Sequence, residues 1–259
     1  NESKSMVTKK ELEIGGRTLS LETGRLAKQA DGSVMVRYGD SMVLATVVAN
    51  KEPKPGLDYF PLQVEYRERT AAAGKIPGGF IRREGRPSQD AVLSGRLADR
   101  TIRPLLPKNW RSDIQLIITV LSVDQQNDPD ILGLIGCSAA MSLSQMPFYG
   151  PVGAVRVGYL NDEYVLNPTL AQLDNSLIDL VVASTKKDIV MVEAGANEAD
   201  EEIVLKAIQI AHEANQHIIR LQEELQQACG KPKITVPSAE LDAELIKAVS
   251  GLVDARLLD

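Results

Sequence analysis

The sequence contains few cysteines and aromatic residues and has no long apolar run. Cys137 and Cys229 are its only cysteines, and they are far apart and fit no metal-ligand spacing. We therefore expect two reduced thiols in a cytoplasmic protein. Aromatic residues make up 4% of the chain, so aliphatic side chains must fill the core. No segment approaches the roughly 20 apolar residues of a membrane helix, and the polar start lacks the apolar core of a signal peptide.

Side chains that carry catalysis in common enzyme classes form no recognisable pattern. His212 and His217 stand five positions apart on one predicted helix, whereas two metal ligands on one helix face need a spacing of about four. No nucleophile–histidine–acid set and no phosphate-binding P-loop can be identified. Asp124, Asp128 and Asp130 lack the glutamate that an EF-hand requires downstream. We expect these aspartates to form a solvated acidic loop.

Positive charge is concentrated in one part of an otherwise acidic chain. The formal net charge is −6. Residues 67–111, however, contain 11 Lys or Arg and 4 Asp or Glu, a local net charge of +7. A basic block inside an acidic protein indicates a local site for a polyanion and not a generally adhesive surface.

Three arginines within five positions follow a Pro-Gly-Gly break in the segment 75–87, KIPGGFIRREGRP. Glycine and proline disfavour a regular helix or strand there, so we predict a loop that presents guanidinium groups beside one phenylalanine. Such a loop suits a single-stranded nucleic acid, because cations contact phosphates and an aromatic ring stacks on a base. The alternative is a solvated basic loop whose arginines pair with Glu84 and Asp90.

Arg96, Arg100 and Arg103 form a second basic group on the predicted helix that follows. Spacings of four and three place these arginines within roughly 60° of one another on the helix. Leu93 borders that face, so we expect that not all three arginines are free in solvent. Two alternatives stay open. They form structural pairs with nearby acidic residues or a neighbouring strand, or they contact phosphate or another subunit.

Periodicity predicts hairpins followed by helices in both halves of the chain, which is an α+β pattern. Glycine-containing or Asn-Asp turns separate the paired strands. The predicted strands are 12–14, 18–21, 33–37, 41–49, 60–65, 114–123, 154–159, 163–167, 177–183 and 189–193. The predicted helices run from Ser88 to about Ile102, over 131–143, over 198–227 and from 239 onward, with a linker at 231–237.

Several motifs together resemble the bacterial polynucleotide phosphorylase family. They are FPLQVEY at 60–66, AAGKIPGGF at 72–80, RREGRPS at 82–88, DRTIRPL at 99–105 and NDPD at 127–130. The resemblance extends from Leu12 to the end of the chain. It implies a ribonuclease-PH-like core domain over residues 6–230, with the β-α core of ribosomal S5 domain 2 and two subunits that meet at 146–147. Residues 231–259 would be a linker and the beginning of an all-α domain, where the chain looks cut.

For the whole enzyme, the resemblance implies processive 3′-to-5′ phosphorolysis of single-stranded RNA by inorganic phosphate. It also implies Mg2+ bound outside this segment, a homotrimeric ring around an RNA channel and partners in the RNA-degradation machinery. The loop that lines the channel matches the candidate RNA-binding residues Phe80, Ile81, Arg82, Arg83 and Arg86. Family members usually have a second aromatic where Ile81 stands, so one stacking contact of about 1–3 kcal/mol per base is expected to be lost.

The same resemblance predicts that this segment is not itself catalytic. Active copies have a Gly/Ser-rich phosphate turn where this chain has QNDPDI at 126–131; its proline has no amide donor and its aspartates repel phosphate. Active copies also have two metal-binding aspartates and a lysine. In this chain Asp179 matches the second aspartate, whereas Leu173 stands in place of the first aspartate and Val181 in place of the lysine. The alternatives are an active single-domain subunit of the ribonuclease PH type and a scaffold that binds acidic protein partners.

Overall fold

The computed structural model describes residues 7–50, 52, 56, 59–78, 85–236 and 243–257. These residues form two β-sheets joined by helices that contact both of them. The strands of the larger sheet are β1 (Thr8–Ile14), β2 (Arg17–Thr23), β3 (Gly32–Tyr38), β4 (Ser41–Ala49), β5 (Leu62–Arg67) and β6 (Ile114–Ser122).

The larger sheet has the strand order β1-β2-β3-β4-β6-β5. Its first pairs are hairpins, as predicted, and the turn between β1 and β2 consists of Gly15 and Gly16 with φ of +58° and +74°. Positive φ at both central residues is what a tight hairpin turn requires. Only β5 and β6 pair in parallel; the other neighbours are antiparallel.

Helix α1 (Gln89–Ile102) makes the crossover that connects the parallel strands β5 and β6. Ser88 caps it, because the Ser88 Oγ accepts a hydrogen bond from the Ala91 N–H at 3.0 Å. The predicted cap at Ser88 and the predicted end at Ile102 are both confirmed. Buried Leu97, Ala98 and Ile102 attach the helix to the core.

The smaller sheet contains β7 (Gly153–Leu160), β8 (Glu163–Leu166), β9 (Ile178–Ser184) and β10 (Ile189–Ala196), all antiparallel, in the order β10-β9-β7-β8. A short helix, α3 (Leu170–Leu173), stands between β8 and β9. Thr169 and Gln172 form a reciprocal capping box at its start. Sequence periodicity missed α3, because one helical turn is too short to produce a repeat.

Two helices, α2 (Pro129–Leu143) and α4 (Glu201–Cys229), connect the sheets. Helix α2 contacts β3, β4 and β6 of the larger sheet and β7 of the smaller one, and every residue from Ile131 to Leu143 is buried. Its close approach depends on glycine, since a Cβ on Gly133 would come within 2.8 Å of Ile118. The predicted close packing of this helix on the sheet is confirmed.

A closed ring of hydrogen bonds holds α2, α4 and the start of β7 together. Ser138 Oγ donates to Gln222 Oε1 at 2.7 Å, and Gln222 Nε2 donates to the Val152 carbonyl at 2.7 Å. The Val152 N–H donates back to Ser138 Oγ at 2.8 Å. All three residues are buried, so each bond satisfies a group that has no access to water.

The segment that follows α4 is fastened to the core. The Lys231 N–H donates to the Leu143 carbonyl at 2.9 Å, and the Ile234 N–H donates to the Gln145 carbonyl at 2.7 Å. Lys233 Nζ donates to the carbonyls of Met141 and Ser144 at 2.7 and 2.9 Å, at the C-terminal end of α2. Residues 231–234, at the start of the predicted linker, therefore form a strap that is bound to the core. Their donors satisfy carbonyls at the end of α2, which have no partner within the helix.

The helix at the end of the described residues is α5 (Ala243–Leu257). It presents a row of exposed apolar side chains, among them Leu245, Val249 and Leu252. None of the described helices is both long enough and apolar enough to cross a bilayer.

Candidate functional site

Most of the predicted RNA-contacting loop, namely Phe80, Ile81, Arg82 and Arg83, lies outside the described residues. The C-terminal flank of this loop is described, and Arg86 is exposed there. Arg86 lines an open groove of about 850 Å³. Part of the groove is lined by residues between Glu65 and Ala73, at the end of β5 and just after it, and another part by residues 85–88, just before α1. The described flanks of the predicted loop therefore line the groove.

Both signs of charge line this groove, with an excess of positive charge. Arg67 hydrogen-bonds Glu65 at 2.9 Å, and Ser88 Oγ donates to Glu68 Oε2 at 3.1 Å. Arg67, Arg69 and Arg86 face two carboxylates, those of Glu65 and Glu68. Such a groove attracts a polyanion more than a polycation, because the arginines outnumber the carboxylates.

Arg103 is held by acceptors of its own chain. Its Nε and Nη2 donate to Asp99 at 3.0 and 2.6 Å. Its Nη1 and Nη2 also donate to the carbonyls of Phe60 and Leu62, each at 3.1 Å. Four donated hydrogen bonds leave little capacity for a phosphate, since a guanidinium has five N–H groups. Arg103 thus ties the end of α1 to the chain that enters β5.

Arg100 and Arg96 differ in their surroundings. Arg100 forms an ion pair with Glu193 of β10 at 2.9 Å, which links α1 to the edge of the smaller sheet. Arg96 is exposed, and no ion pair or hydrogen bond joins it to another of the described residues. The structure does not gather the three arginines into one anion site, because Arg100 and Arg103 already have partners.

The N-terminus of α2 is occupied by carboxylates from its own sequence. Asp128 caps the helix, and its Oδ1 accepts from the Asp130 N–H at 3.2 Å. Asp130 Oδ1 accepts from the N–H of Ile131. Pro129 stands at the first helical position and has no N–H to offer. A helix N-terminus normally attracts anions, but here the protein's own anions already take its donors.

Arg156 of β7 contacts three carboxylates at this place. Its Nη1 donates to both oxygens of Asp179 on β9, each at 2.8 Å. Its Nη2 donates to Asp128 at 3.1 Å and to Asp130 at 2.9 Å. The Arg156 side chain is only 13% exposed. One guanidinium therefore joins the start of α2 to the smaller sheet.

The local charges shift the pKa values of this cluster. Burial and the charge of Asp128 outweigh the attraction of Arg156 and raise the pKa of Asp130 to about 7. Burial alone would lower the pKa of Arg156, but the three carboxylates raise it. Burial, assisted by Asp128 and Asp130, also raises the pKa of the nearby Tyr66 hydroxyl. Three carboxylates are more than one guanidinium can neutralise, so one of them retains a proton easily.

Asp124 is a structural residue and not part of a solvated loop. Asp124 accepts hydrogen bonds from the backbone N–H groups of Gln126, Asn127 and Asp40, and from the Asn127 side chain. Burial would raise the pKa of Asp124, but these donors outweigh it and hold the pKa at about 2. The expectation of a solvated acidic loop at Asp124, Asp128 and Asp130 is therefore wrong, because backbone donors and Arg156 take up all three carboxylates.

Sequence reasoning missed Arg156. The sequence did contain an indication that Arg156 is important, because Arg156 is the one charged residue in the strand GAVRVGYL of β7. A charged side chain in a buried strand requires a partner of opposite charge. The partners could not be named in advance, since Asp128 and Asp179 lie 28 and 23 positions away in the sequence.

No metal centre is evident in the part of the chain that the structure describes, where no group of three His, Cys, Asp or Glu residues is arranged to hold an ion. The two histidines are peripheral: His212 is half-buried and His217 is exposed on α4. Cys137 is buried and Cys229 is exposed, and both are free thiols.

Comparisons with known proteins cover nearly the whole chain. The family model of the 3′ exoribonuclease family, domain 1, matches residues 15–147, and the model of domain 2 of the same family matches residues 150–214. A solved structure, the crystal structure of rice Rrp46, superposes with a TM-score of 0.64 at 15% identity and covers 85% of this chain and 94% of that one. At this identity the likeness concerns the fold alone, which is the ribonuclease-PH-like α+β fold.

Several curated relatives are named polyribonucleotide nucleotidyltransferase. The protein from Dehalococcoides mccartyi (strain ATCC BAA-2266) is 54% identical over 244 residues, which are 94% of this chain and 34% of that protein. The proteins from Heliobacterium modesticaldum and Bacillus subtilis are 54% and 52% identical over 95% of this chain and 35% of their own lengths. The chain thus spans about a third of the length of the curated relatives it matches.

Proposed function

Because this chain belongs to the 3′ exoribonuclease family, we propose that it is the first core domain of a polyribonucleotide nucleotidyltransferase. In this proposal the domain guides single-stranded RNA and does not perform the chemistry. The whole enzyme degrades RNA from the 3′ end by phosphorolysis, with inorganic phosphate as co-substrate. The relatives' name and the motifs at 60–88 support the assignment.

RNA guiding is proposed for the loop of Phe80, Ile81, Arg82, Arg83 and Arg86. The support is the position of Arg86 on an open groove with excess positive charge, within a basic block of an acidic chain. Guanidinium groups that contact phosphates give salt-sensitive binding with little sequence preference. This is the behaviour that a processive enzyme requires of a channel.

The occupied N-terminus of α2 is the observation that supports a non-catalytic role for this domain. Phosphorolysis needs a site that binds inorganic phosphate next to the scissile bond. At this helix the donors are taken by Asp128 and Asp130, and the nearest cation, Arg156, is already shared among three carboxylates. A phosphate brought here would meet negative charge, which is unfavourable in a partly buried place.

Further features of the whole protein belong to the same proposal. They are a cytoplasmic homotrimeric ring, Mg2+ bound outside this segment and contacts with other RNA-degrading proteins. Residues 6–230 would form the core domain and residues 231–259 the start of an all-α domain, for which the exposed apolar row on α5 gives support. Arg96 is the proposed subunit contact, because it is exposed beside the pair of Arg100 with Glu193.

A salt series tests the RNA-binding role directly. We expect the chain to bind labelled oligo(A), with an affinity that falls as salt is raised. Arg82→Gln with Arg83→Gln should weaken binding and reduce the slope of log affinity against log salt by about 1.4, at roughly 0.7 per lost phosphate contact on a single strand. Arg220→Gln, at an exposed position on α4, is the matched control and should leave the slope unchanged.

Three results would contradict the proposal in separable ways. An unchanged salt slope in the double variant would remove the loop from the RNA path. Release of nucleoside diphosphates from poly(A) by the chain alone, in phosphate and Mg2+, would favour the active single-domain subunit instead. Retention of acidic proteins without any RNA binding would favour the scaffold alternative.

A further inference from the structure

A pocket of about 270 Å³ lies beside the start of β6, whereas the arginine-lined groove lies beside the end of that strand. We call it the Trp110 pocket. Its lining residues come from the end of β4, the turn before β6, the segment after α2 and the strap, and they are Ala49, Asn50, Trp110, Gln145, Met146 and Ile234. The Trp110 pocket shares no described residue with the groove.

Hydrogen bonds and packing hold the walls of the Trp110 pocket in place. The Asn50 N–H donates to the Asp113 carbonyl at 3.0 Å, which fixes one wall to the start of β6. The Ile234 N–H donates to the Gln145 carbonyl at 2.7 Å, which fixes the strap to the opposite segment. Trp110 packs against the hydrophobic core. A pocket whose walls are already ordered binds a small ligand without a large entropic cost.

Polar groups in the Trp110 pocket require a ligand that has hydrogen-bonding atoms. Trp110 is the single tryptophan of the chain, and its Nε1–H is buried with no acceptor among the described residues. The Gln145 side-chain amide makes no hydrogen bond to another described residue. Asn50 Nδ2 donates to Asp113 at 3.3 Å, which leaves the Asn50 Oδ1 as an acceptor. A purely apolar occupant would leave the buried indole N–H unsatisfied, which is unfavourable.

A nucleobase has the shape and the polar edge that this lining requires. The indole ring of Trp110, Met146 and Ile234 form the apolar part of the lining, and a flat aromatic ring packs well on such groups. The Gln145 amide offers a donor and an acceptor side by side, which is the pattern that pairs with the edge of a base. Ligand pockets usually measure at least about 300 Å³. A volume of about 270 Å³ therefore suits one base and not a stacked pair.

The charges near the Trp110 pocket favour a ligand that carries phosphate. Four described basic residues stand within three positions of a lining residue, namely Lys108, Arg111, Lys231 and Lys233. Two described acidic residues do the same, Glu52 and Asp113. Three residues of backbone span at most roughly 10 Å, so these charges lie close to the pocket walls. The excess of positive charge attracts the phosphate of a nucleotide whose base is bound.

We propose that the Trp110 pocket binds one unstacked base of single-stranded RNA. The indole N–H donates to an acceptor atom of the base, the Gln145 amide pairs with the edge of the base, and the phosphate lies among the basic residues. The pocket is thus a second RNA contact, at the opposite end of β6 from the groove. The inference rests on the proposed function only in taking RNA as the polymer that carries the base, and it uses none of the loop residues.

The single tryptophan allows the proposed hydrogen bond to be observed directly. In the isotope-labelled chain, NMR gives one indole N–H resonance, and adenosine 5′-monophosphate (AMP) is the probe. We expect a saturable downfield shift of this resonance, because the N–H gains an acceptor. Oligo(A) should produce the same shift, and ribose 5-phosphate, which lacks the base, should produce none.

A matched pair of variants tests the role of the amide. Gln145→Leu should weaken AMP binding by roughly three- to tenfold, because one hydrogen bond to the base is lost. Gln227→Leu makes the same substitution at an exposed position on α4 and should leave the affinity unchanged. Arg82→Gln with Arg83→Gln should also leave the shift unchanged, so failure of the loop proposal and failure of the pocket proposal are distinguishable.

Several results would overturn the assignment of the pocket. One is the lack of a saturable shift with AMP up to about 10 mM, a concentration at which even weak sites are filled. Others are an equal shift with ribose 5-phosphate, a shift with AMP but not with oligo(A), and equal affinities of Gln145→Leu and Gln227→Leu for AMP. A shift produced by an acidic peptide and not by AMP would assign the pocket to a protein partner instead.

Discussion

Replacing Asp130 with Asn should remove a pH-dependent destabilisation of the folded protein. Asp130 is 12% exposed and lies beside Asp128, and these surroundings raise its pKa from 3.8 to about 7. A carboxyl whose pKa is raised by folding is most favourable when protonated. Its contribution to stability is fully present below the pKa of the unfolded chain and is lost as pH rises through the folded pKa.

The magnitude follows from the pKa difference. Each unit corresponds to about 1.36 kcal/mol, so the change from 3.8 to about 7 gives an upper bound of about 4 kcal/mol at pH 8. Asn cannot ionise and resembles the protonated carboxyl in shape. The stability of Asp130→Asn relative to the unmodified chain should therefore increase by about 2 kcal/mol between pH 5.5 and 8, and little further above that.

Urea denaturation at several pH values measures this difference, because titrations common to both proteins cancel. Asp124→Asn, in the segment that leads into α2, is the matched control. The pKa of Asp124 is about 2, so that carboxyl is ionised throughout this range and the effect of its substitution should not vary with pH. The reasoning is refuted if Asp130→Asn is less stable than the unmodified chain at pH 8 by an amount that does not depend on pH. The attraction of Arg156 would then dominate, and Asp130 would be ionised.

Two predictions concern the connections between helices. Gln222→Leu should lower the free energy of unfolding by about 2–4 kcal/mol, because it leaves two buried polar partners unsatisfied. Urea denaturation measures this loss. The control Gln227→Leu, at an exposed position, should change the free energy of unfolding by less than about 0.5 kcal/mol. Lys233→Met should release the strap from the end of α2 and speed hydrogen exchange in residues 231–236, while exposed Lys206→Met should not. Unchanged exchange in Lys233→Met would mean that the strap is held by its backbone bonds alone.

Much of the fold followed from local signals. The glycine turn at 15–16, the cap at Ser88 and the apolar period of the long helix each act within a few residues, so the sequence displays them directly. The resemblance in the motifs at 60–105 likewise predicted a family to which the chain proved to belong. The expectation that failed, a solvated acidic loop, depended on partners that are distant in sequence.

The sequence by itself determined the strands and helices other than the single-turn helix α3, because turns, caps and periodicity depend on residues that are adjacent along the chain. Only the tertiary structure decided which charges meet. Arg156 reaches Asp179 and the start of α2, and Arg100 reaches Glu193 from 93 positions away. Those contacts exist because the two sheets are placed against common helices. An ion pair depends on distance in space, which the order of residues along the chain does not specify.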